Sequence, residues 1–246
     1  MRKLLLLLSF VGALFAADVM FQSVEADKAT LLQKGSSKEY CPNCGMNLIK
    51  YYKTSHAVTF KDGTSRQFCS LHCLVDESEM GFLRDKKELI AQVLVADVDS
   101  LKMVDAKKAF YVIGSKIKGT MSGNGQYAFA TKAGADAFMA QNGGKLASYD
   151  EAYDTSLKDF TNDMKMMKAK RDEGVYAMGK DVMAKFCDEA KVMNIHAHNM
   201  GETKQALKDS GACKADLNDM QLQAVTLYYW DIKLNNFEKN YGKLLK

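Results

Sequence analysis

The feature that most constrains the fold is a pattern of two strands, a helix and a further strand that occurs twice between residues 54 and 149. In the first copy, alternating apolar residues and a turn at Asp62-Gly63 predict a β-hairpin. A helix over 73–92, which Gly81 can divide, follows the hairpin. The strands of this copy are expected at residues 56–60, 66–68 and 93–98.

The second copy has the same order of elements. Thr131 is suited to cap a helix over 132–142, and the pair Gly143-Gly144 is suited to end it. Its strands are expected at residues 109–113, 126–130 and 146–149. Two successive ββαβ units predict an α+β fold with helices on one side of each sheet.

The pattern changes near Asp154, where the strand signals stop. Apolar residues then recur at helical spacing, and residues 220–230 predict a strongly apolar helix. We therefore expect an all-α C-terminal domain after the α+β domain. The predicted divisions are a signal peptide at 1–17, a linker at 18–39, the α+β domain at 40–154 and a helical domain at 155–246. The linker is expected to be disordered over 18–38.

The N-terminus has the composition of a secretory signal peptide. Arg2 and Lys3 precede an apolar run that ends on small residues near Ala17. The run is shorter than the roughly 20 apolar residues of a membrane helix, and no later segment approaches that length. We therefore expect a soluble periplasmic protein with no transmembrane segment in its mature chain. The first cysteine is Cys41, so a lipid anchor on a cysteine after the signal peptide is not expected.

Charge and motifs exclude several classes of function. The 34 basic and 30 acidic residues give a net charge of +4 and form no basic block, which argues against nucleic acid and anionic membrane as partners. The histidines and glycines form no hydrolase, metalloprotease or phosphate-binding motif. The sequence therefore predicts a binding protein and not an enzyme.

Sulfur-containing side chains mark the candidate metal site. Four of the six cysteines are close in sequence: Cys41, Cys44, Cys69 and Cys73. The first pair lies in a tight CxxC turn, and the second pair is one helical turn apart. Met46 adds a thioether beside Gly45, and Met121 lies in the glycine-rich segment 119–123. Soft sulfur ligands favour Cu(I) or Zn(II), and thioethers favour Cu(I).

Further candidate residues lie in the helical segment. Cys187 and Cys213 are predicted to form a structural disulfide, because oxidation is the default in an exported protein. Segment 193–200 contains His196 and His198 between two methionines. We interpret it as a polar connection between helices, with copper binding as the alternative.

Several motifs together resemble the NosL family, whose members are copper-binding accessory proteins for nitrous-oxide reductase. They are the segments 41–46, 68–70, 110–115 and 119–123, continuing to Phe129. The resemblance covers residues 40–149 and implies paired small α+β domains and a periplasmic Cu(I) metallochaperone. Its implied partner is apo-nitrous-oxide reductase or an assembly factor of that enzyme. By motif matching, Cys44 and Met46 carry the Cys-x-Met copper ligands and Met121 is the later methionine.

Two other interpretations of the cysteines stay open. The four thiolates can close a structural Zn(II) site of the treble-clef or TRASH type. Alternatively, Cys41 and Cys44 can form the redox pair of a thiol-disulfide oxidoreductase, although Gly45 follows at once and no thioredoxin-like strand precedes Cys41. Separately, residues 222–230 resemble the last helix of a c-type cytochrome domain, but no CxxCH motif is present, so we expect a haem-less relic.

Overall fold

The computed structural model of the protein describes residues 20–214 and 216–245. Strands occupy the N-terminal half and most helices the C-terminal half, which confirms the predicted α+β class. The predicted signal peptide at 1–17 lies outside the described residues. Within them, no helix has the length and apolar character needed to cross a membrane.

The first unit forms an antiparallel sheet in the order β2-β1-β3-β4. Its strands are β1 (His56–Phe60), β2 (Ser65–Phe68), β3 (Ile90–Ala96) and β4 (Met103–Asp105). Helix α1 (Leu71–Glu79) connects β2 to β3. Strand β4 was not predicted, since three residues are too few to show alternation.

The predicted helix over 73–92 is wrong in its second half. Helix α1 ends at Glu79, a 3-10 segment occupies Arg84–Leu89, and β3 begins at Ile90. Gly81 permits this change of direction, because a Cβ there would lie only 3.0 Å from the Glu77 Cα. Leu83 then packs with no exposed surface and fixes the return of the chain.

The second unit forms an antiparallel sheet in the order β6-β5-β7. Its strands are β5 (Phe110–Ile113), β6 (Gln126–Phe129) and β7 (Lys145–Ala147). Helix α2 (Lys132–Asn142) begins and ends as predicted: the Thr131 side chain accepts a hydrogen bond from the Gly134 N–H, and Gly143 has a φ of 68°. The two successive ββαβ units are therefore present.

The helical part begins earlier than expected. Ser148 and Glu151 form a capping box that starts α3 at Tyr149, so α3 crosses the proposed domain boundary at 154, which stays a prediction. Two π-helical turns, Arg171–Val175 and Tyr228–Lys233, also lie in this part of the chain. The helices are α3 (Tyr149–Lys170), α4 (Tyr176–Phe186), α5 (Glu189–Met193), α6 (Met200–Asp209), α7 (Asp219–Leu227) and α8 (Asn236–Tyr241). The predicted Cys187–Cys213 disulfide is present and joins the end of α4 to the segment after α6.

One hydrophobic core joins the strands to the later helices. Phe68 and Leu74 of the first unit belong to the same buried cluster as Phe160 of α3 and Phe237 of α8. A second cluster lies among the C-terminal helices and includes Val225. The helical part is thus packed directly against the unit that carries the four clustered cysteines.

The predicted disorder over 18–38 is wrong for residues 20–38. The Gln22 amide donates hydrogen bonds of 2.9 Å to the Tyr127 hydroxyl and 2.7 Å to the Lys118 carbonyl. Phe21 packs edge-on against Tyr127, with ring centroids 5.3 Å apart. Contacts between residues 96 and 105 positions apart attach this segment to the second unit, and no local pattern signals them.

Candidate metal centre

The structure brings the four clustered cysteines together at one point. Their sulfur atoms all lie within 4.8 Å of one another, with 3.4 Å between Cys44 and Cys69 and 3.6 Å between Cys69 and Cys73. All four side chains are buried. Metal–sulfur bonds of about 2.3 Å in a tetrahedron place the sulfurs about 3.8 Å apart. The cluster therefore has the dimensions of a site for one soft metal ion.

A closed loop positions the first two thiols. The Gly45 N–H donates to the Cys41 carbonyl at 2.8 Å, and the Cys41 N–H donates to the Met46 carbonyl at 2.9 Å. Gly45 has a φ of +73°, in the left-handed region that favours glycine. The backbone thus turns sharply enough for the thiols of Cys41 and Cys44 to face the same point.

The start of helix α1 positions the other two thiols. Ser70 caps the helix by accepting a hydrogen bond of 3.3 Å from the Cys73 N–H. Cys69 directly precedes the cap, and Cys73 lies in the first turn. The positive end of the helix dipole favours negative charge at this position, which opposes the effect of burial on the two thiols.

The thiols of the cluster differ in the direction of their pKa shifts. Burial opposes ionisation of Cys41, but hydrogen bonds from the other three thiols outweigh burial and lower its pKa well below the ordinary value. Burial and the neighbouring sulfurs raise the pKa values of Cys69 and Cys73 well above it. The surroundings therefore favour ionisation of Cys41 over ionisation of Cys69 and Cys73. A bound cation would allow further thiols to ionise.

The two candidate methionines lie beside the cluster. Met46, Met121 and Cys44 line one cavity of about 560 Å³. Met121 has a φ of 62°, which is uncommon for a residue with a side chain. Its loop is held by a hydrogen bond of 2.8 Å between the hydroxyls of Thr54 and Thr120. The six predicted ligands therefore share one region of the molecule, and their assignment as metal ligands stays a prediction.

The NosL family model matches residues 33–157, half of the chain, and this match contains all six predicted ligands. The chain belongs to the NosL family. The copper chaperone NosL from Shewanella denitrificans is a similar solved structure: it is 25% identical, the match covers 50% of this chain and 96% of that one, and the TM-score is 0.37. No curated protein matches the chain. NosL membership confirms the prediction that the protein is not an enzyme.

Residues outside the NosL match form hydrogen bonds with the backbone of the cysteine loop. The Gln223 amide of α7 donates a hydrogen bond of 2.9 Å to the Cys44 carbonyl, and its oxygen accepts one of 2.8 Å from the buried Lys204 ammonium. The Met200 N–H donates to the Pro42 carbonyl at 3.0 Å. The sequence analysis did not connect any of these three residues with the cysteine loop, because no local motif links them to a segment so distant in the chain.

His72 is a further residue that the sequence analysis did not select. It lies between Cys69 and Cys73 in the sequence, is buried, and stacks on Phe160 with ring centroids 5.0 Å apart. Its Nδ1 is 3.5 Å from the Asp163 carboxylate, and neither ring nitrogen makes a hydrogen bond among the described residues. The structure therefore packs this imidazole beside the cysteine cluster without joining it to the sulfur group.

His196 and His198 lie on the connection between α5 and α6, where the sequence placed them. Both are exposed, and the His198 N–H donates a hydrogen bond of 2.9 Å to the Glu202 carboxylate. Neither belongs to a group of neighbouring metal-ligand residues in the described part of the chain. These observations favour the interpretation as a polar connection.

Proposed function

We propose that this NosL protein is a Cu(I) metallochaperone of the periplasm. The observation that carries the proposal is the buried group of four sulfur atoms within 4.8 Å of one another. In this proposal Cys41, Cys44, Cys69 and Cys73 supply the thiolates: Cys44 with Met46 forms the Cys-x-Met pair, and Met121 approaches from the second unit.

Ligand chemistry supports copper as the cargo. Thiolates and thioethers select soft ions, whereas hard cations prefer oxygen ligands. Zinc sites rarely use thioethers, so Met46 and Met121 beside Cys44 favour Cu(I). The similar protein from Shewanella denitrificans is described as a copper chaperone, which agrees with this cargo.

A structural Zn(II) site is the second candidate. The sulfur separations of 3.4 and 3.6 Å are close to the edges of a tetrahedral four-thiolate zinc site. Such a site would fasten the loop of Cys41 to helix α1 permanently. The two candidates differ in whether the ion leaves, and a carrier must release it.

A thiol-disulfide oxidoreductase is disfavoured. Exchange requires a thiolate to reach the disulfide of another molecule. Cys41 has no exposed surface, and only 2% of Cys44 is exposed. The NosL assignment also contradicts an enzymatic role.

The proposed function includes delivery of Cu(I) to a recipient protein. The predicted signal peptide supports export, and the family resemblance supports apo-nitrous-oxide reductase or one of its assembly factors as the recipient. The cavity at Cys44 offers a route by which a recipient thiolate or imidazole can approach the bound ion.

The test is an anaerobic Cu(I) titration of the reduced protein from Asp18 onward against a competing chelator, with Zn(II) in parallel. We expect tight binding that a stronger chelator reverses, and a loss of affinity in Cys44→Ser and Met46→Leu. Met20→Leu is the matched control, since Met20 is exposed and lies outside the cavity at Cys44. A zinc ion that cannot be exchanged and that requires all four cysteines would contradict the proposal and support the structural site.

A further inference from the structure

The cavity at Cys44 is unusually rich in methionine. Six of its 22 lining residues are methionine, against 15 of 246 in the chain. They are Met46, Met121, Met166, Met167, Met178 and Met220. Methionine is thus enriched about fourfold around the one cluster cysteine that borders this cavity, which a general use of methionine as core filler does not explain.

Most of these methionines come from outside the NosL match. Helix α3 supplies Met166 and Met167, α4 supplies Met178 and α7 supplies Met220. Met178 is 39% exposed and Met220 is 68% exposed, so neither side chain fills a core. Cys44, on the same cavity, is 2% exposed. The cavity is therefore lined both by exposed thioethers and by a buried thiol.

The charges around the cavity disfavour hard cations. Its single acidic residue is Asp219, whose carboxylate lies 3.0 Å from the Lys204 ammonium and 3.4 Å from the Lys50 ammonium. The remaining charged residues on its wall are Lys118, Lys170 and Arg171. A free divalent ion would meet net positive charge and no free carboxylate. An ion held by a thiolate or an anionic chelate can approach, and neutral thioethers suit a soft monovalent ion.

We propose that the helical extension supplies a second, weaker Cu(I) site formed by the thioethers of Met166, Met178 and Met220, from which the ion passes to Cys44. This inference rests on the proposed function of the cysteine cluster. The transfer is a ligand exchange: copper–thioether bonds break as the copper–thiolate bond forms, and the Cys44 thiol proton leaves to solvent. Copper remains cuprous throughout, so no oxidant or reductant is consumed.

The test uses the reduced full-length mature protein with methionine labelled at its ε-methyl carbons. Cu(I) is added anaerobically as its anionic bicinchoninate complex, and methyl shifts are followed by NMR, with assignments from single Met→Leu variants. We expect the first equivalent to saturate the cysteine cluster. A second, weaker equivalent should then shift the methyl signals of Met166, Met178 and Met220.

The decisive variant is M166L/M178L/M220L. Leucine keeps the apolar volume of methionine, so the fold and any apolar docking at this surface persist and only sulfur chemistry is lost. We expect the variant to retain the first equivalent, lose the second and load more slowly from the chelator. The matched control is M20L/M80L, which alters two exposed methionines outside the cavity and should behave as wild type.

Two outcomes would overturn the inference while leaving the proposed function intact. One is a wild-type protein that binds the first equivalent and shows no further methyl shifts. The other is an M166L/M178L/M220L variant with unchanged stoichiometry and loading rate. Failure of the wild type to bind the first equivalent would instead contradict the proposed function itself.

Discussion

The two ββαβ units have the same architecture where their second strand meets the helix. In each unit a phenylalanine ends the strand and a hydroxyl residue caps the helix two residues later: Phe68 and Ser70 in the first unit, Phe129 and Thr131 in the second. Each capping side chain accepts a hydrogen bond from the N–H three residues further on. The same backbone is thus built twice by the same local interactions.

The units differ in the side chains placed on this backbone. Cys69 and Cys73 stand where the second unit has Ala130 and Gly134. The loop that supplies the other two thiols precedes only the first unit. The comparison shows that alternation and capping determine the fold, whereas the proposed metal site depends on a few sulfur residues at a helix start that the fold forms in either case.

The largest expected effect comes from making the first unit resemble the second at one position. Cys69→Ala removes one of the four thiolate ligands, and we expect Cu(I) affinity to fall by more than about 100-fold, because the loss of an outer-shell partner alone costs about 10–100-fold. Competition with a chelator measures the change. Ala130→Ser, at the equivalent exposed position, is the control and should bind as wild type. Equal affinities of the two variants for Cu(I) would contradict a role of Cys69 as a metal ligand.

The second prediction concerns pH. Burial lowers the pKa of His56 in β1 from its ordinary 6.5 to about 4, and the equivalent residue of β5 is Phe110. The unfolded chain takes up a proton on His56 below pH 6.5, and the folded chain does so only near pH 4. Above pH 6.5, His56 is neutral in both states and does not make the unfolding free energy depend on pH. Between pH 6.5 and pH 4, its protonation in the unfolded chain lowers the unfolding free energy, by up to about 3 kcal/mol.

Denaturant unfolding at pH 7, 5.5 and 4.5 checks this prediction. His56→Gln should show a smaller loss of unfolding free energy on acidification than the wild type. The difference isolates His56 from the carboxylates that titrate in the same range. Parallel pH profiles for the two proteins would rule out His56 as a source of acid sensitivity in the first unit.

The third prediction compares two glycines with the same backbone angle. Gly45 in the cysteine loop and Gly114 after β5 both have a φ of +73°. Alanine at either position should cost about 1–2 kcal/mol from the left-handed conformation. At Gly45 the new Cβ would also lie 3.2 Å from the Met200 side chain, whereas nothing lies within 4 Å at Gly114.

Thermal unfolding and Cu(I) titration of both variants test this difference. Gly45→Ala should destabilise more and also weaken Cu(I) binding, because it moves the loop that holds Cys41 and Cys44. Gly114→Ala should change stability alone. A reversed order of the two variants would show that the helical extension does not constrain the cysteine loop.

The smallest effects are expected at the helix caps. Ser70→Ala and Thr131→Ala should each lower the unfolding free energy by about 1 kcal/mol. Only Ser70→Ala should also weaken Cu(I) binding, since its hydroxyl orients the first turn that carries Cys73. Chemical denaturation and metal titration of the two variants make the comparison. An equal effect of both on metal binding would contradict the proposed division between fold and site.

Local signals predicted much of the fold. Helix α2 was predicted with its correct limits, because Thr131 and Gly143 are strong start and stop signals. Helix α1 was predicted too long, because its apolar spacing continues past Glu79 and only tertiary packing of Leu83 fixes the change in direction. Boundaries that depend on a cap are visible in the sequence, and those that depend on distant packing are not.

The candidate site likewise has features with a local sequence signal and features that depend on distant contacts. The spacing of the cysteines predicted that the two members of each pair lie together, since each pair is local and each lies at a turn or a helix start. The contact between the two pairs depends on tertiary packing. The contact of Gln223 with Cys44 joins residues 179 positions apart and has no sequence signal. The sequence likewise does not predict that the methionines of α3, α4 and α7 line the same cavity as Cys44, because this depends on how their helices pack.

Copper K-edge X-ray absorption of the anaerobically prepared protein with one equivalent of Cu(I) tests the central claim most directly. The account predicts a first coordination shell made only of sulfur, and a loss of bound copper in the Cys69→Ala protein. Nitrogen or oxygen ligands in that shell would contradict it. So would copper that binds equally well after Cys69 is replaced.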